Sequence, residues 1–142
     1  MVLLLEAPWS VYAADSWNCS ERESEEILKA RDARLSILGI CFGGQVIARS
    51  FGGIVPRAPH YEIGWHPVDS YGESLIPGGD WFQFHYDRGT TPPLARTLAS
   101  SPKALQAFQM DTLLSLQFHP EVNVSVFRTW LDAGADVELG SL

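Results

Sequence analysis

The sequence is poor in cysteine, in basic residues and in long apolar runs. Its 142 residues include only two cysteines, and 17 acidic side chains against 10 basic ones give a net charge of −7. Two cysteines are too few for a disulfide framework, and they lack the spacing of metal ligands. Because no basic patch is present, we expect no nucleic-acid partner.

The apolar start MVLLLEAP is short and is interrupted by Glu6. It lacks a basic segment, so it resembles neither a signal peptide nor a membrane span, and no other run approaches the about 20 apolar residues of a spanning helix. We therefore expect no membrane partner and a cytoplasmic location. The length suits one domain with a sizeable core, so residues 1–142 are predicted to form a single domain.

Short apolar segments alternate with helical ones in the first third of the chain. Ser20 and Glu23 have the spacing of a capping box, which predicts the start of a helix. The apolar segments are typical of strands buried on both faces of a parallel sheet. Strands are thus predicted at residues 2–5 and 35–40, and helices at residues 21–34 and 44–51. This order predicts an α/β fold with a doubly wound, flavodoxin-like and mostly parallel sheet.

The second part of the chain contains short predicted strands instead of alternating strands and helices. Proline, glycine and aspartate turns separate short β-type segments, and Met110-Asp111 is predicted to turn a hairpin. The expected strands lie around residues 62–69, 80–85, 94–99, 104–109 and 112–118, and a closing helix around residues 124–133. We therefore expect an antiparallel segment added to the parallel sheet.

A cysteine stands at the turn between the second predicted strand and the second predicted helix, in the stretch ILGICFGGQ. G-x-C-x-G at such a turn is the pattern of a nucleophile elbow with cysteine in place of serine. The turn would lift Cys41 above the sheet, and the helix N terminus would stabilise its thiolate. The amide of Phe42 would face an oxyanion formed on the attacked carbonyl. The alternative is a tight turn with a buried, inert cysteine.

A nucleophile needs a base, and of the four histidines only His119 ends a strand in the form QFHPE. His119 and Glu121 stand at i and i+2, so they point the same way from an extended chain. The carboxylate can then hold one imidazole nitrogen and leave the other for a thiol. A chance His-Pro-Glu turn is the alternative, but the combination with the cysteine elbow favours catalysis.

These motifs resemble those of the class I (triad) glutamine amidotransferases. GICFGGQ and QFHPE match the two end motifs of the family, and EIGWHPV and WFQFHYD are similar to its middle motifs. The resemblance implies that Cys41 is the nucleophile, that His119 is the general base and then the acid, and that Glu121 orients His119. It implies hydrolysis of the glutamine side-chain amide through a γ-glutamyl thioester, with release of ammonia and without a metal or an organic cofactor.

The resemblance also implies which residues contact the substrate. Gln45 stands where the family has a glutamine that touches the substrate glutamine, and its alternative is a helix-surface residue. Phe84, His85 and Tyr86 stand where the family offers backbone groups to the α-amino and carboxylate ends. For His85, a satisfied core or loop histidine is the open alternative.

Two features depart from the family pattern. Members usually carry a further strand, helix and strand before the segment that corresponds to residues 2–5, so we expect an N-terminally truncated domain without that first unit. They also usually place glycine where this chain has Glu6. A negative charge there would disfavour the developing oxyanion, and a side chain would disfavour the backbone geometry.

Three functions therefore remain open at this point. The first is a glutamine amidotransferase that supplies ammonia to an unknown acceptor or to a synthetase partner protein. The second is a γ-glutamyl amide or peptide hydrolase of related fold. The third is a truncated, non-catalytic relic, which Glu6 favours and the intact Cys41, His119 and Glu121 oppose.

Overall fold

The computed structural model describes residues 1–13, 17–73 and 75–135. These ranges contain one seven-stranded sheet and three α-helices, the last of which continues into a π-helical turn at Leu131–Ala135. The strands are β1 (Val2–Leu4), β2 (Ile37–Ile40), β3 (Arg57–Ser70), β4 (Gly79–Asp87), β5 (Arg96–Ser100), β6 (Leu105–Met110) and β7 (Leu113–Leu116). The helices are α1 (Trp17–Asp32), α2 (Phe42–Ser50) and α3 (Val124–Trp130).

The sheet has the strand order β1-β2-β7-β6-β5-β3-β4. β1, β2 and β7 pair in parallel, and the remaining pairings are antiparallel. The predicted α/β fold with a parallel part and an antiparallel addition is confirmed. The antiparallel part is nevertheless larger than expected, because short connections such as the one from β6 to β7 allow only antiparallel pairing.

The predicted hairpin between the last two strands is present. Met110 pairs with Leu113, so Asp111 and Thr112 form the two-residue loop. Asp111 has a φ of 50°, a conformation that aspartate tolerates in tight hairpin turns. This hairpin returns β7 to the centre of the sheet beside β2, which places the C-terminal ends of these two strands side by side.

Each face of the sheet has its own apolar core. Ile37 and Leu38 alternate, so that Ile37 packs into a cluster with α1 and α2, and Leu38 packs against a second cluster on the other face. Both long helices therefore contribute to one core cluster. The second cluster is formed in the described residues by strand and loop side chains, whereas a doubly wound sheet leads one to expect helices on both faces.

Two local predictions are wrong. Ser20 does not cap a helix, because α1 begins at Trp17 and Ser20 is buried inside it. The segment at β1 is not buried on both faces either: Leu3 is 48% exposed. Leu3 pairs with Leu38 and therefore points to the face of the second cluster, to which no helix of the described residues contributes.

Most other boundaries differ by one to three residues, but β3 begins at Arg57, five residues before its expected start. β2 begins at Ile37 rather than at residue 35, and α2 begins directly after Cys41. The closing helix keeps its α-helical form only to Trp130. No helix in the described part of the chain is long and apolar enough to cross a membrane.

Candidate active site

The three parallel strands bring three chemically distinct side chains to one edge of the sheet. Glu6 follows β1, Cys41 follows β2, and His119 lies three residues beyond β7. Because β1, β2 and β7 are neighbours that run in the same direction, their C-terminal ends meet at this edge. Binding sites of α/β sheets lie at the carboxyl ends of the strands.

Cys41 occupies a sharp turn between β2 and α2. Its φ of 50° and ψ of −108° lie outside the regions that residues with a Cβ usually adopt, and its N–H donates to the carbonyl of Leu116 at 2.8 Å. The side chain is only 5% exposed. The elbow geometry predicted from G-x-C-x-G is therefore present, with the first turn of α2 starting at the next residue.

The glycines that flank the cysteine are required by close approach of the backbone. A Cβ at Gly39 would lie 2.6 Å from the carbonyl of Gly43, and a Cβ at Gly43 would lie 2.4 Å from the carbonyl oxygen of Leu4. Both distances are far below a normal contact between backbone atoms. Small residues at these positions allow α2 to pack directly on the ends of β1 and β2 and hold the turn in place.

His119 is held by one neighbour and faces another. Its Nδ1 lies 2.7 Å from Oε1 of Glu121. A nitrogen atom of the imidazole ring lies within 4.8 Å of Sγ of Cys41. The imidazole is 1% exposed, and the edge of Trp130 packs against it with 5.0 Å between ring centroids. Its Nε2 is buried without a hydrogen-bond partner in the described structure.

The surroundings of His119 favour the imidazolium form. Burial acts to lower the pKa of His119, but the interactions with Cys41 and Glu121 and the negative charge of Glu6 outweigh it and raise the pKa to about 10. Burial acts to raise the pKa of Glu121, whereas the hydrogen bond from His119 lowers it below the usual carboxyl value. At neutral pH the pair is therefore an imidazolium and a carboxylate.

The structure places a residue beside the sulfur to which the motif analysis assigned no role. Nε2 of Gln117 donates toward Sγ of Cys41 at 3.7 Å. Gln117, His119 and Glu121 are spaced by two residues in QFHPE, so the alternation that links His119 to Glu121 also predicts that Gln117 points to the same side. That spacing was the signal available in the sequence.

A cleft of about 790 Å³ opens beside Cys41. It is lined by Cys41, by Glu121 and by the five residues predicted to contact substrate, namely Phe42, Gln45, Phe84, His85 and Tyr86. The backbone carbonyl of Phe84 lies 4.0 Å from Sγ of Cys41. β4 therefore forms the wall of the cleft opposite the elbow.

Two of these residues are engaged within the protein. Gln45 is 5% exposed, and its Nε2 donates to the carbonyl of Asp87 and to Oε1 of Gln117, both at 3.3 Å. The His85 ring lies 3.0 Å from the carbonyl of Asp87 and 3.3 Å from Oε2 of the buried Glu62. The ring of His85 is thus buried and paired within the protein, as expected for a core histidine. Its residue nevertheless lines the cleft.

The cleft also contains two charged residues to which the sequence motifs gave no role: Arg57, and Asp87 at the end of WFQFHYD. Arg57 lies at its wall, with the guanidinium 5.5 Å from the centre of the Tyr86 ring. Asp87 accepts hydrogen bonds from the hydroxyls of Tyr12, at 2.7 Å, and Ser10. Arg57 and Asp87 are distant in sequence and come together through the pairing of β3 with β4, so no local pattern could reveal that they meet.

Glu6 reaches into the site rather than into solvent. One of its carboxylate oxygens lies within 4.8 Å of both Sγ of Cys41 and a ring nitrogen of His119. Burial raises the pKa of Glu6, the positive charge of His119 lowers it and the negative charge of Glu121 raises it, with a net increase. The acidic side chain is thus an element of the site itself.

Comparison with known proteins gives a consistent result. The model of the family described as glutamine amidotransferase class-I matches residues 2–133. The glutamine-hydrolyzing GMP synthase of Helicobacter acinonychis (strain Sheeba) is 36% identical over 129 residues, which cover 85% of this chain and 24% of that protein. One subunit of the glutamine-hydrolyzing GMP synthase of Saccharolobus solfataricus is 33% identical, with 76% of this chain and 69% of that subunit covered.

Solved structures share the fold. A glutamine amidotransferase from Thermotoga maritima superposes with a TM-score of 0.88 at 26% identity, over 98% of this chain and 64% of that one. A protein from Thermoplasma acidophilum described as a GMP synthase subunit gives a TM-score of 0.73 at 25% identity, over 98% of this chain and 74% of that one. The chain thus spans about a quarter of the Helicobacter relative and about two thirds of the proteins closer to it in length.

Proposed function

The chain belongs to the class-I glutamine amidotransferase family, and from this premise we propose that it hydrolyses the side-chain amide of glutamine through a thioester on Cys41 and releases ammonia. One observation carries the proposal. Nδ1 of His119 is hydrogen bonded to Glu121 at 2.7 Å, on the same side of the sheet as the elbow sulfur. Residues 1–142 are proposed to act as one domain in this reaction.

The first half of the proposed reaction forms the thioester. The Cys41 thiolate attacks the amide carbon, and the carbonyl electron pair moves to the oxygen. The N–H of Phe42, the first residue of α2, stabilises that oxyanion, because the first amides of a helix have no partner within it. When the intermediate collapses, the C–N bond breaks and the departing nitrogen takes a proton from His119, which yields ammonia and the γ-glutamyl thioester.

The second half regenerates the enzyme. Neutral His119 removes a proton from water, and the resulting hydroxide attacks the thioester carbon. The C–S bond then breaks, so that glutamate leaves and the Cys41 thiolate faces the His119 imidazolium again. Glu121 orients the imidazole in both halves and stabilises its charged form, which agrees with the pKa of His119 of about 10.

The cleft walls are proposed to bind the remainder of the glutamine. Backbone groups of Phe84, His85 and Tyr86 suit the α-amino and carboxylate ends, and Arg57 at the same wall adds a positive charge for the carboxylate. Gln45, in α2, is proposed to contact the substrate glutamine with its side-chain amide. Hydrogen bonds to the carbonyl of Asp87 and to Oε1 of Gln117 already orient that amide. No metal or organic cofactor takes part in these steps.

The acceptor of the ammonia is proposed to lie on a synthetase partner, either a domain or a separate subunit. The relatives support this, because they are named as GMP synthases or as a subunit of that enzyme, and this chain matches only the glutamine amidotransferase part of them. Ammonia release should therefore be measured both with the chain alone and with a candidate synthetase.

Labelling of the nucleophile tests the proposal. A glutamine analogue that carries a chloromethyl ketone in place of the amide should alkylate Cys41, and excess glutamine should protect it. Cys19 is exposed on α1 and is the internal control. Equal labelling of both cysteines that glutamine does not change would contradict the assignment. Comparing ammonia release from glutamine with amine release from γ-glutamyl amines then separates a glutaminase from a γ-glutamyl hydrolase.

A further inference from the structure

Three different metal-ligand types converge at the elbow. A carboxylate oxygen of Glu6, Sγ of Cys41 and a ring nitrogen of His119 all lie within 4.8 Å of one another. They come from three separate strand ends, so the spacing along the sequence gives no sign of them. Thiolate, imidazole and carboxylate together form a donor set that suits Zn²⁺ and related borderline-soft divalent cations.

A second observation points to a ligand at this position. Nε2 of His119 is buried and has no hydrogen-bond partner in the described structure, and the ring is only 1% exposed. Buried polar atoms are normally paired, so an unpaired one calls for an explanation. The other ring nitrogen, Nδ1, is bound to the carboxylate of Glu121 at 2.7 Å. A carboxylate on one imidazole nitrogen with the other nitrogen available is the usual arrangement of a metal-binding histidine.

We propose that Glu6, Cys41 and His119 form a binding site for a divalent cation of the Zn²⁺ class, which competes with substrate for the sulfur. The ligands bind as carboxylate, thiolate and neutral imidazole, so the incoming cation displaces the protons they hold. Glu6 and Cys41 line the open cleft, so a cation can reach the site from solvent. The competition with glutamine rests on the proposed function, whereas the cation binding itself does not.

The geometry requires only a small movement. Zn–S distances of about 2.3 Å and Zn–N and Zn–O distances of about 2.0–2.2 Å place tetrahedral donors about 3.3–3.6 Å apart. The three donors already lie within 4.8 Å of one another. Cys41 and His119 are held by the elbow and by Glu121, whereas the Glu6 side chain has more rotatable bonds and can adjust its own distances to both.

Zn²⁺ and Co²⁺ alone are the probes that test this site. The full chain with Cys19→Ser should bind one Zn²⁺, measured by competition with a chromophoric chelator, and Co²⁺ should produce a thiolate-to-cobalt charge-transfer band. Glu6→Gln keeps the shape of the ligand and should weaken Zn²⁺ binding at least about tenfold, since even partners outside the ligand set cost about 10–100-fold. Glu73→Gln, at an exposed position, is the matched control.

Alkylation of Cys41 gives a readout that does not depend on catalysis. Zn²⁺ should slow iodoacetamide labelling of Cys41 in the Cys19→Ser chain, a chelator should reverse this, and Glu6→Gln should remove most of the protection. Equal Zn²⁺ affinity of Glu6→Gln and Glu73→Gln, or a Co²⁺ complex without the thiolate band, would overturn the proposal. Failure to hydrolyse glutamine leaves these measurements intact, so the two proposals fail separately.

Discussion

Gln117 lies against the sulfur of Cys41, with 3.7 Å between Nε2 and Sγ. Its Oε1 accepts a hydrogen bond from Nε2 of Gln45 at 3.3 Å, which fixes the orientation of the Gln117 amide. A donor aimed at a sulfur stabilises the thiolate more than the thiol, because hydrogen bonds to charged groups are the stronger ones. Gln117 therefore connects the side chain of Gln45 with the sulfur of Cys41.

The first prediction concerns this amide. Gln117→Met keeps the approximate volume and removes the donor, so it should slow iodoacetamide labelling of Cys41 at pH 7 by roughly tenfold, given about 1.5 kcal/mol for a hydrogen bond to a charged group. Gln109→Met, on β6 and away from the cleft, is the control. A labelling rate that is equal in the two variants would show that Gln117 does not act on the sulfur.

The second prediction concerns Glu121. Glu121→Gln removes the negative charge that stabilises the imidazolium. It also no longer fixes the proton of neutral His119 on Nδ1, so a tautomer protonated on Nε2 can form. The fold should persist, and the rate of ammonia release from glutamine should fall about 10²–10⁴-fold, as for triad carboxylates in general. The exposed Glu73→Gln is the reference. A folded Glu121→Gln variant with an unchanged rate would assign the orienting role to a different carboxylate.

The third prediction concerns the pH dependence of stability. The pKa of His119 rises from 6.5 to about 10 on folding, so the protonated imidazole contributes stability that is complete below pH 6.5 and is lost as the pH rises through 10. The free energy of unfolding should therefore fall more steeply over this range in the wild type than in His119→Gln. Urea titrations of both chains at several pH values measure the difference, and parallel curves would contradict the assignment.

Patterns within a short segment were sufficient for the elbow and for the pair of His119 and Glu121. Both depend on neighbours in sequence: glycines beside a cysteine, and an i, i+2 spacing on an extended chain. The same kind of pattern was misleading at Ser20. The spacing of Ser20 and Glu23 predicted a helix start, but α1 begins at Trp17 and Ser20 is buried within it. The apolar pattern also failed at Leu3, because the burial of a strand side chain depends on which elements cover its face of the sheet.

Residues that meet only through tertiary pairing could not be predicted. Arg57 reaches the cleft through the pairing of β3 with β4, and Asp87 is held there by hydroxyls more than seventy positions away in sequence. The position of Glu6 beside Cys41 and His119 follows from the adjacency of β1, β2 and β7. The sequence could indicate that Glu6 departs from a motif, but not that its carboxylate enters the site.

The fourth prediction concerns the packing of the elbow. Gly43→Ala would place a Cβ 2.4 Å from the carbonyl oxygen of Leu4, so the variant must shift α2 away from β1. We expect a loss of about 1–3 kcal/mol in the free energy of unfolding, the usual cost of overpacking. Gly89→Ala, whose Cβ would meet Ala48 at an ordinary 3.4 Å, should change stability little. Equal midpoints of the two variants in urea would show that α2 is not held by this contact.

The fifth prediction concerns Glu6, whose carboxylate lies within 4.8 Å of Sγ of Cys41, the atom that attacks in the proposed reaction. A fixed negative charge there opposes the charge of the intermediate, and a side chain restricts the backbone that should help to bind it. Glu6→Gly should therefore raise kcat/KM for glutamine, by roughly tenfold if one oxyanion contact is restored in part. Glu6→Gln separates the two causes, because it removes the charge and keeps the side chain. A gain in both variants assigns the effect to charge, a gain in Glu6→Gly alone assigns it to the backbone, and no gain in either would mean that Glu6 does not oppose catalysis.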